Sequence, residues 1–193
     1  DEASSSSSSS AAAAAVADEE EGADALMQQF KRDHGGTTFV YRTINLSDVL
    51  DLDDHGRVIS ISRQPQVEGI LYSRTIKAHV LNGNKNDKAH RSAFSSCSVL
   101  RDYCVYYAQQ EWVVRDRKNP ITIEIDLMKI PDLKSEHDKP ETWVKGDDGC
   151  YLADLTTEDR FARAAGGKAG NTIGNRCKMA QEITLCGTIP IKA

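Results

Sequence analysis

The segment KMAQEITLCGTIP, residues 178–190, decides how this chain is interpreted, because it places one carboxylate in an otherwise uncharged strand. Side chains alternate between the two faces of an extended strand. The alternation predicts one face with Ile183, Leu185 and Ile189, and the other with Glu182, Thr184 and Cys186. A lone acid on the second face fits either a solvated edge or a carboxylate directed into a cleft, and the remaining sequence decides between them.

The 193 residues divide into a compositionally biased arm and one longer segment. Residues 1–22 are rich in serine and alanine and end in a run of acids. Such a composition cannot bury enough apolar surface to offset the entropy lost on ordering, so we expect a disordered arm. Residues 23–193 are expected to form a single domain with a proper hydrophobic core.

The charges follow the same division. Seven acids and no bases lie before Lys31, so residues 31–193 carry a formal charge of about +2, although the whole chain carries −5. No basic block of the kind used to bind nucleic acid is present, and no apolar run approaches the ~20 residues of a membrane span. The sequence therefore predicts a soluble protein and indicates neither nucleic acid nor membrane as a partner.

The cysteine spacing argues against a metal site. Five cysteines are present with no CxxC pair: Cys97, Cys104, Cys150, Cys177 and Cys186. An odd number leaves at least one thiol free, and no close pairing of the zinc-site type occurs. We expect reduced, mostly buried cysteines, with one disulfide involving Cys150 or Cys177 as the alternative.

Periodicity predicts an α+β fold of short mixed strands and small helices. The predicted helices are 23–33, a short one opened by Ser47 and ending at Leu52, one following Ser98, and one opened by Thr156–Asp159 and stopped at Gly166. The predicted strands are 37–42, 93–98, 121–127 and the closing segment. The segments 54–92, 131–149 and 166–175 are expected to be turn-rich or loops.

Three of these segments carry residues of a catalytic type in a fixed order. The strand FVYR ends at Arg42, FSSCS contains Ser96, and the closing strand contains Glu182. In this order they resemble the mono-ADP-ribosyltransferase superfamily of the arginine–serine–glutamate type, to which many bacterial toxins and effectors belong. The aromatic–arginine pair, the Phe-x-Ser-Thr-Ser stretch (with Cys97 in place of threonine) and the run Gly187–Pro190 after the glutamate all match within residues 37–190.

The resemblance implies split mixed β-sheets around an NAD cleft, with NAD as substrate and a protein as the expected acceptor. It implies transfer of ADP-ribose, and a toxin or effector that is secreted or delivered into a host cell. The residues that it assigns to catalysis are Glu182, Arg42 and Ser96. The expected contacts to NAD are Arg42, Ser96, Ser98 and Tyr103.

The proposed chemistry requires these residue types. A guanidinium binds diphosphate oxygens in a forked manner, which suits Arg42, and a hydroxyl that holds the arginine or the ribose suits Ser96. Cleavage of the nicotinamide–ribose bond develops positive charge on the sugar, and a fixed carboxylate at Glu182 would stabilise it. Tyr103 either stacks on the nicotinamide or belongs to the core, and His90 either assists in the cleft or lies on the surface.

Ala180 departs from the family pattern, which commonly has Glu or Gln two residues before the catalytic glutamate. In the family that residue helps to recognise or deprotonate the acceptor, and alanine can do neither. Three outcomes remain open: another residue such as Gln181 takes over, water becomes the acceptor and the protein is an NAD glycohydrolase, or activity is lost and a nucleotide- or protein-binding module remains.

Overall fold

A computed structural model of the protein describes residues 24–44, 48–56, 58–63, 71–73, 76, 79–80, 90–92, 94–115, 121–135, 150–164 and 171–190. The strands are β1 (Phe39–Thr43), β2 (Asp48–Leu52), β3 (Val58–Arg63), β4 (Leu71–Ser73), β5 (His90–Ser92), β6 (Phe94–Ser98), β7 (Thr122–Asp126), β8 (Leu133–Ser135), β9 (Cys150–Asp154), β10 (Glu182–Cys186) and β11 (Ile189–Pro190). The helices are α1 (24–33), α2 (Arg101–Arg115), α3 (Glu158–Ala164) and α4 (Asn171–Ala180), with a 3₁₀ turn at Leu127–Lys129.

The strands form three sheets. Six of them lie in the order β7-β1-β6-β10-β9-β8, with only the β8–β9 pair parallel. A second sheet has the order β11-β3-β2, and β4 and β5 form a parallel pair. This arrangement of mixed strands and short helices confirms the predicted α+β class.

The central strands of the six-stranded sheet are buried on both faces. One face carries Ile183 and Leu185, which pack in a cluster with Met27 and Phe30 of α1. The opposite face carries residues such as Phe94, Tyr151 and Cys186, which pack under a second cluster of side chains: Ile76, Leu155, Phe161 and Cys177. Each fully buried aliphatic or aromatic side chain contributes roughly 1.5–3 kcal/mol. The face that carries Glu182 is therefore covered by helices and is not a solvated edge.

One glycine allows the chain to pass from the first sheet to the second. Gly187 follows β10 with φ 125°, a conformation that side-chain-bearing residues rarely adopt. Two residues later Ile189 pairs with Ile61 of β3, so β10 and β11 belong to different sheets although they are almost consecutive.

Two predicted segments are wrong in type. The predicted helix from Ser47 to Leu52 is strand β2, because its backbone pairs with β3 along its whole length and this pairing overrides the capping signal. The predicted loop over 166–175 gives way to α4 from Asn171 onward. Cys177 and Ala180, three residues apart, form the buried side of that helix, and their burial supplies the stability that the glycine-rich sequence does not indicate.

Two other segments contain more structure than expected. The turn-rich region 54–92 contributes β3, β4 and β5, and the loop predicted over 131–149 contains β8. These strands are short, and a strand of three residues is too short for an alternation pattern to stand out. Tertiary pairing, for example of Leu133 with Cys150, defines them instead.

Several expectations are confirmed. The helix predicted over 23–33 is present as α1, the strand–helix unit at 93–115 is present as β6 and α2, and Thr157 caps α3 by accepting a hydrogen bond from the Arg160 amide at 3.3 Å. All five cysteines are free and buried, as predicted for the reduced state. The arm at residues 1–22 lies outside the described residues, and in the described part no helix has the length and apolarity needed to cross a bilayer.

Candidate active site

The site begins where strands β1 and β6 separate. β6 pairs with β10 at five successive positions, whereas it pairs with β1 only at Tyr41–Ser98. Arg42, the next residue of β1, bridges the separation: its Nη1 donates to the main-chain carbonyl of Ser96 at 2.6 Å. The guanidinium is buried, with Arg42 only 2% exposed. Arg42 therefore ties the first strand to the segment that carries the candidate serine.

Ser96 and Glu182 lie on adjacent strands and meet through their side chains. In the β6–β10 register Ser96 is opposite Thr184, and Glu182 is opposite Ser98, so all four side chains share one face. Ser96 Oγ donates to Glu182 Oε1 at 2.9 Å. Ser96 is exposed, whereas the Glu182 side chain is 15% exposed. The carboxylate is thus mostly buried beside an exposed serine.

His79 also belongs to this group, and the sequence did not indicate it. Its Nε2 lies 2.8 Å from Ser96 Oγ and 3.9 Å from Glu182 Oε1, and its Nδ1 lies 2.7 Å from Ser92 Oγ. The backbone is helical at Ile76 and His79, and Ile76 is buried in the cluster that contains Phe94. This packing brings a residue from an aperiodic stretch into the site. His90, the histidine that the sequence suggested, lies in β5, and its side chain is outside the described residues.

The Glu182 carboxylate has an unusual electrostatic environment. Burial raises its pKa above the ordinary value, although hydrogen bonds from Cys177 and Ser96 partly oppose this rise. Burial and the Glu182 charge also raise the pKa of the Cys177 thiol, which keeps that group protonated and able to donate. The Thr184 hydroxyl also lowers the pKa of Glu182, although its Oγ1 makes no hydrogen bond of ordinary length within the described part of the chain. Neutral donors, with only a small contribution from exposed Arg176, therefore hold this carboxylate.

Tyr103 is an exposed residue of the first turn of α2. It is 38% exposed on α2, so the alternative interpretation of Tyr103 as a core residue is wrong. Partial burial, and after it the negative charge of Glu182, raise the pKa of the Tyr103 hydroxyl. The position is compatible with the predicted stacking on nicotinamide, which stays a prediction.

Ser98 occupies a structural position. Its hydroxyl donates to the Ala180 carbonyl at 2.5 Å and accepts from the Leu100 amide at 2.9 Å. Ser98 is 1% exposed and joins β6 to the end of α4. This geometry favours a role in holding the strand, in contrast to the direct NAD contact that the sequence predicted.

The residues just before Glu182 do not replace the missing acidic or amide group. Ala180 is buried as the last residue of α4. Gln181 has a left-handed backbone with φ 45°, and its side-chain amide donates to the Lys178 carbonyl at 2.8 Å. The Gln181 side chain is therefore turned back along α4, away from the role that Ala180 leaves vacant in the family pattern.

A second charged group lies on the other side of β9 and β10. Asp154 Oδ2 accepts hydrogen bonds from His34 Nε2 at 2.8 Å and from Arg160 Nη1 at 2.7 Å, and Arg160 also pairs with Asp33 at 2.5 Å. Burial alone would raise the pKa of Asp154, but the hydrogen bonds from His34 and Thr156 outweigh it and lower the pKa below the ordinary value.

Comparison of the chain with protein-family models, with curated proteins and with solved structures found no match. The resemblance to ADP-ribosyltransferases therefore rests on Arg42, Ser96, Glu182 and their neighbouring residues. Within the described residues no group of three or more His, Cys, Asp or Glu side chains is arranged to hold a metal ion.

A cavity of about 230 Å³ lies apart from this site. It is lined by residues of α1, β9 and α3, among them Phe30, Asp33, Leu152 and Arg160. Since Phe30 and Leu152 belong to the cluster on the α1 face of the sheet, this cavity does not include the Ser96–Glu182 pair. We assign no role to it.

Proposed function

We propose that this protein binds NAD at the separation of β1 and β6, cleaves the nicotinamide–ribose bond and transfers ADP-ribose to a protein acceptor. The observation that carries the proposal is the continuous connection from Arg42 through Ser96 to Glu182. Arg42 donates to the Ser96 carbonyl, and the Ser96 hydroxyl donates to Glu182. Arg42 thus contacts the main chain of Ser96, and Ser96 contacts Glu182 through its side chain, which links in sequence order the three residues that the resemblance assigns to catalysis.

Glu182 supplies the electrostatic part of the proposed reaction. As nicotinamide leaves, the ribose acquires oxocarbenium character, and a carboxylate fixed beside it stabilises that charge. A carboxylate in a water-poor environment acts more strongly than one in bulk water. Because burial raises the pKa of Glu182, the active, ionised form is lost as the pH falls through that raised value.

Arg42 and Ser96 prepare the site. The Ser96 hydroxyl orients Glu182 Oε1, and the bond from Arg42 fixes the backbone of the strand on which Ser96 lies. The resemblance also predicts direct contact between Arg42 and the NAD diphosphate. Since Arg42 is only 2% exposed, such contact requires β1 and β6 to separate further when NAD binds.

The test measures release of nicotinamide from labelled NAD by the wild type and by Glu182→Gln. We expect the wild type to cleave NAD and the variant to lose about 10²–10³-fold in rate, the usual effect of removing one preorganised electrostatic partner. Glu158→Gln, which changes an exposed acid of α3, is the matched control and should cleave NAD like the wild type. Equal cleavage by Glu182→Gln and the wild type would refute the proposal.

NAD hydrolysis is the second candidate, and the residue at position 180 favours it. Ala180 offers no side chain to recognise or deprotonate an acceptor, and the Gln181 amide is bound to the Lys178 carbonyl. Water would then accept the ADP-ribose. Free ADP-ribose equal to the nicotinamide released, with no label on protein, would identify a glycohydrolase. Calorimetric NAD binding without any cleavage would instead indicate a binding module.

The Ser96–His79 contact raises acyl transfer as a competing chemistry. In a serine nucleophile the histidine accepts the hydroxyl proton. Here the single Ser96 proton is directed to Glu182, so His79 Nε2 is placed to donate to the serine. A serine-directed fluorophosphonate probe separates the two chemistries, because our proposal predicts no covalent labelling of Ser96.

A further inference from the structure

The hydrogen bonds around His79 form one connected series. Ser92 Oγ is 2.7 Å from His79 Nδ1, His79 Nε2 is 2.8 Å from Ser96 Oγ, and Ser96 Oγ donates to Glu182 Oε1 at 2.9 Å. The Phe94 amide donates to Ser92 Oγ at 3.1 Å at the other end of the series. His79 and Ser92 are both buried, so these groups rely on protein partners.

The directions of these bonds follow from the carboxylate end. An ionised carboxylate only accepts hydrogen bonds, so the one proton of Ser96 is directed to Glu182. The Ser96 oxygen must then accept from His79 Nε2, which therefore carries a proton. In a neutral imidazole the other nitrogen has no proton, so His79 Nδ1 accepts from the Ser92 hydroxyl.

We propose that Ser92 is a positioning residue that holds His79 as the neutral tautomer protonated at Nε2, so that every hydrogen bond from Ser92 to Glu182 runs in the same direction. If His79 carried its proton on Nδ1, Nε2 would become an acceptor and would compete with Glu182 for the Ser96 proton. Ser92 opposes that tautomer by supplying a donor to Nδ1. Its effect therefore reaches Glu182 through two intervening side chains.

This inference predicts a specific consequence for Glu182. The hydrogen bond from Ser96 is one of the contacts that lower the pKa of the carboxylate against the effect of burial. Loss of Ser92 weakens that bond and allows the Glu182 pKa to rise further. The acidic limb of NAD cleavage should then move to higher pH, by up to about one unit for one charge-assisted hydrogen bond.

The first experiment requires no catalytic activity. Long-range ¹H–¹⁵N correlation spectra of ¹⁵N-histidine-labelled protein report the tautomer of each of the five histidines, and His79→Gln identifies the signal of His79. We expect His79 at pH 7 to be neutral and protonated at Nε2. A Nδ1-protonated or doubly protonated His79 would overturn the proposal, whether or not the protein cleaves NAD.

The second experiment, which rests on the proposed function, compares pH profiles of NAD cleavage. Ser92→Ala should shift the acidic limb upward and give a Nδ1-protonated population of His79, and Ser92→Thr, which keeps the hydroxyl, should restore both properties. Ser95→Ala is the matched control, because Ser95 is also a buried serine and its Oγ has no hydrogen-bond partner among the described residues.

The outcomes are separable. A Ser92→Ala variant with the tautomer and pH profile of the wild type would overturn the role of Ser92 while leaving the proposed reaction intact. A wild type that does not cleave NAD would refute the proposed reaction, and the spectra would still decide the tautomer. If Ser92→Ala does not fold, the tautomer of His79 in the wild-type spectrum and the pH profile of Ser92→Thr, which should match that of the wild type, test the proposal.

Discussion

Two mostly buried carboxylates lie on opposite faces of neighbouring strands and differ in how their surroundings affect their charge. Asp154 and Glu182 are on neighbouring strands, Asp154 is opposite Ile183 in the register, and the amide after Asp154, that of Leu155, donates to the Glu182 carbonyl at 2.9 Å. Asp154 is paired with Arg160 and His34, and its pKa is lowered. Glu182 accepts from the neutral donors Ser96 and Cys177, has His79 Nε2 at 3.9 Å, and its pKa is raised by burial.

The difference separates a structural acid from a candidate catalytic one. A carboxylate that is paired with cations stabilises the fold, and its charge is already neutralised, so it interacts only weakly with a substrate. A buried carboxylate without a close cation costs stability, and its negative charge stays available to a developing positive charge. This contrast predicts opposite results when each acid is replaced by its neutral amide. The Glu182 variant should lose rate and gain stability, whereas the Asp154 variant should lose stability and keep its rate.

The largest expected effect is that of Glu182→Gln on chemistry, combined with a gain in stability. The rate of NAD cleavage should fall about 10²–10³-fold, while the free energy of unfolding at pH 7 should rise by up to about 1 kcal/mol, because a costly buried charge is removed. Urea denaturation measures the second quantity. A marked loss of stability in this variant would place Glu182 with the structural acids and would break the comparison.

Asp154→Asn should show the reverse behaviour. It removes the carboxylate from Arg160 and His34 and leaves Arg160 paired with Asp33 alone, and we expect a loss of about 2 kcal/mol in the free energy of unfolding. This value is below that for a fully buried pair, since the side chains are 17–21% exposed. NAD cleavage measured well below the melting temperature should remain within a few-fold of the wild type. A rate loss as large as that of Glu182→Gln would show that the network acts on the reaction.

The pH dependence of stability should sharpen the contrast. The lowered pKa of Asp154 means that its contribution is present above the ordinary aspartate value of about 3.9 and is lost as the pH falls through the folded value. The difference in the free energy of unfolding between the wild type and Asp154→Asn should therefore shrink as the pH falls into the acidic range. The raised pKa of Glu182 has the opposite sign, so the disadvantage of the wild type relative to Glu182→Gln should disappear in acid. Unfolding free energies at several pH values check both differences.

The smallest expected effect is at Tyr103. If its half-exposed ring stacks on nicotinamide, Tyr103→Ala should raise the KM for NAD several-fold, corresponding to about 1 kcal/mol. Tyr103→Phe keeps the ring and should behave like the wild type. An equal effect of both substitutions would assign the contribution to the Tyr103 hydroxyl and not to stacking.

Long, regular patterns made part of the fold predictable. The alternation over 121–127 identified β7, although Ile121 is 57% exposed because the pairing with β1 begins one residue later, at Thr122. The Arg42, Ser96 and Glu182 contacts were expected from the order of three short motifs. Both the strand β7 and the grouping of these three residues could be predicted from local sequence alone, without knowing which distant residues contact each other.

The rest depends on contacts that no local pattern reveals. His79 reaches Ser96 because Ile76, three residues earlier, is buried beside Phe94, and nothing around residue 79 shows this packing. The Asp154 network joins α1, β9 and α3, with 120 residues between His34 and Asp154. The polar appearance of α4 likewise concealed a helix that buries Cys177 and Ala180.

The left-handed turn at Gln181 ties helix α4 rigidly to the strand that begins with Glu182. A residue with a side chain in this conformation carries strain of about 1 kcal/mol, which glycine would relieve. Two main-chain hydrogen bonds also hold the turn: the Gln181 backbone N–H donates to the Lys178 carbonyl, and the Gln181 carbonyl accepts from the Val99 backbone N–H. Any molecule that displaces α4 on docking would consequently move the Glu182 carboxylate as well, so under the proposed function acceptor contact and alignment of that carboxylate would be coupled.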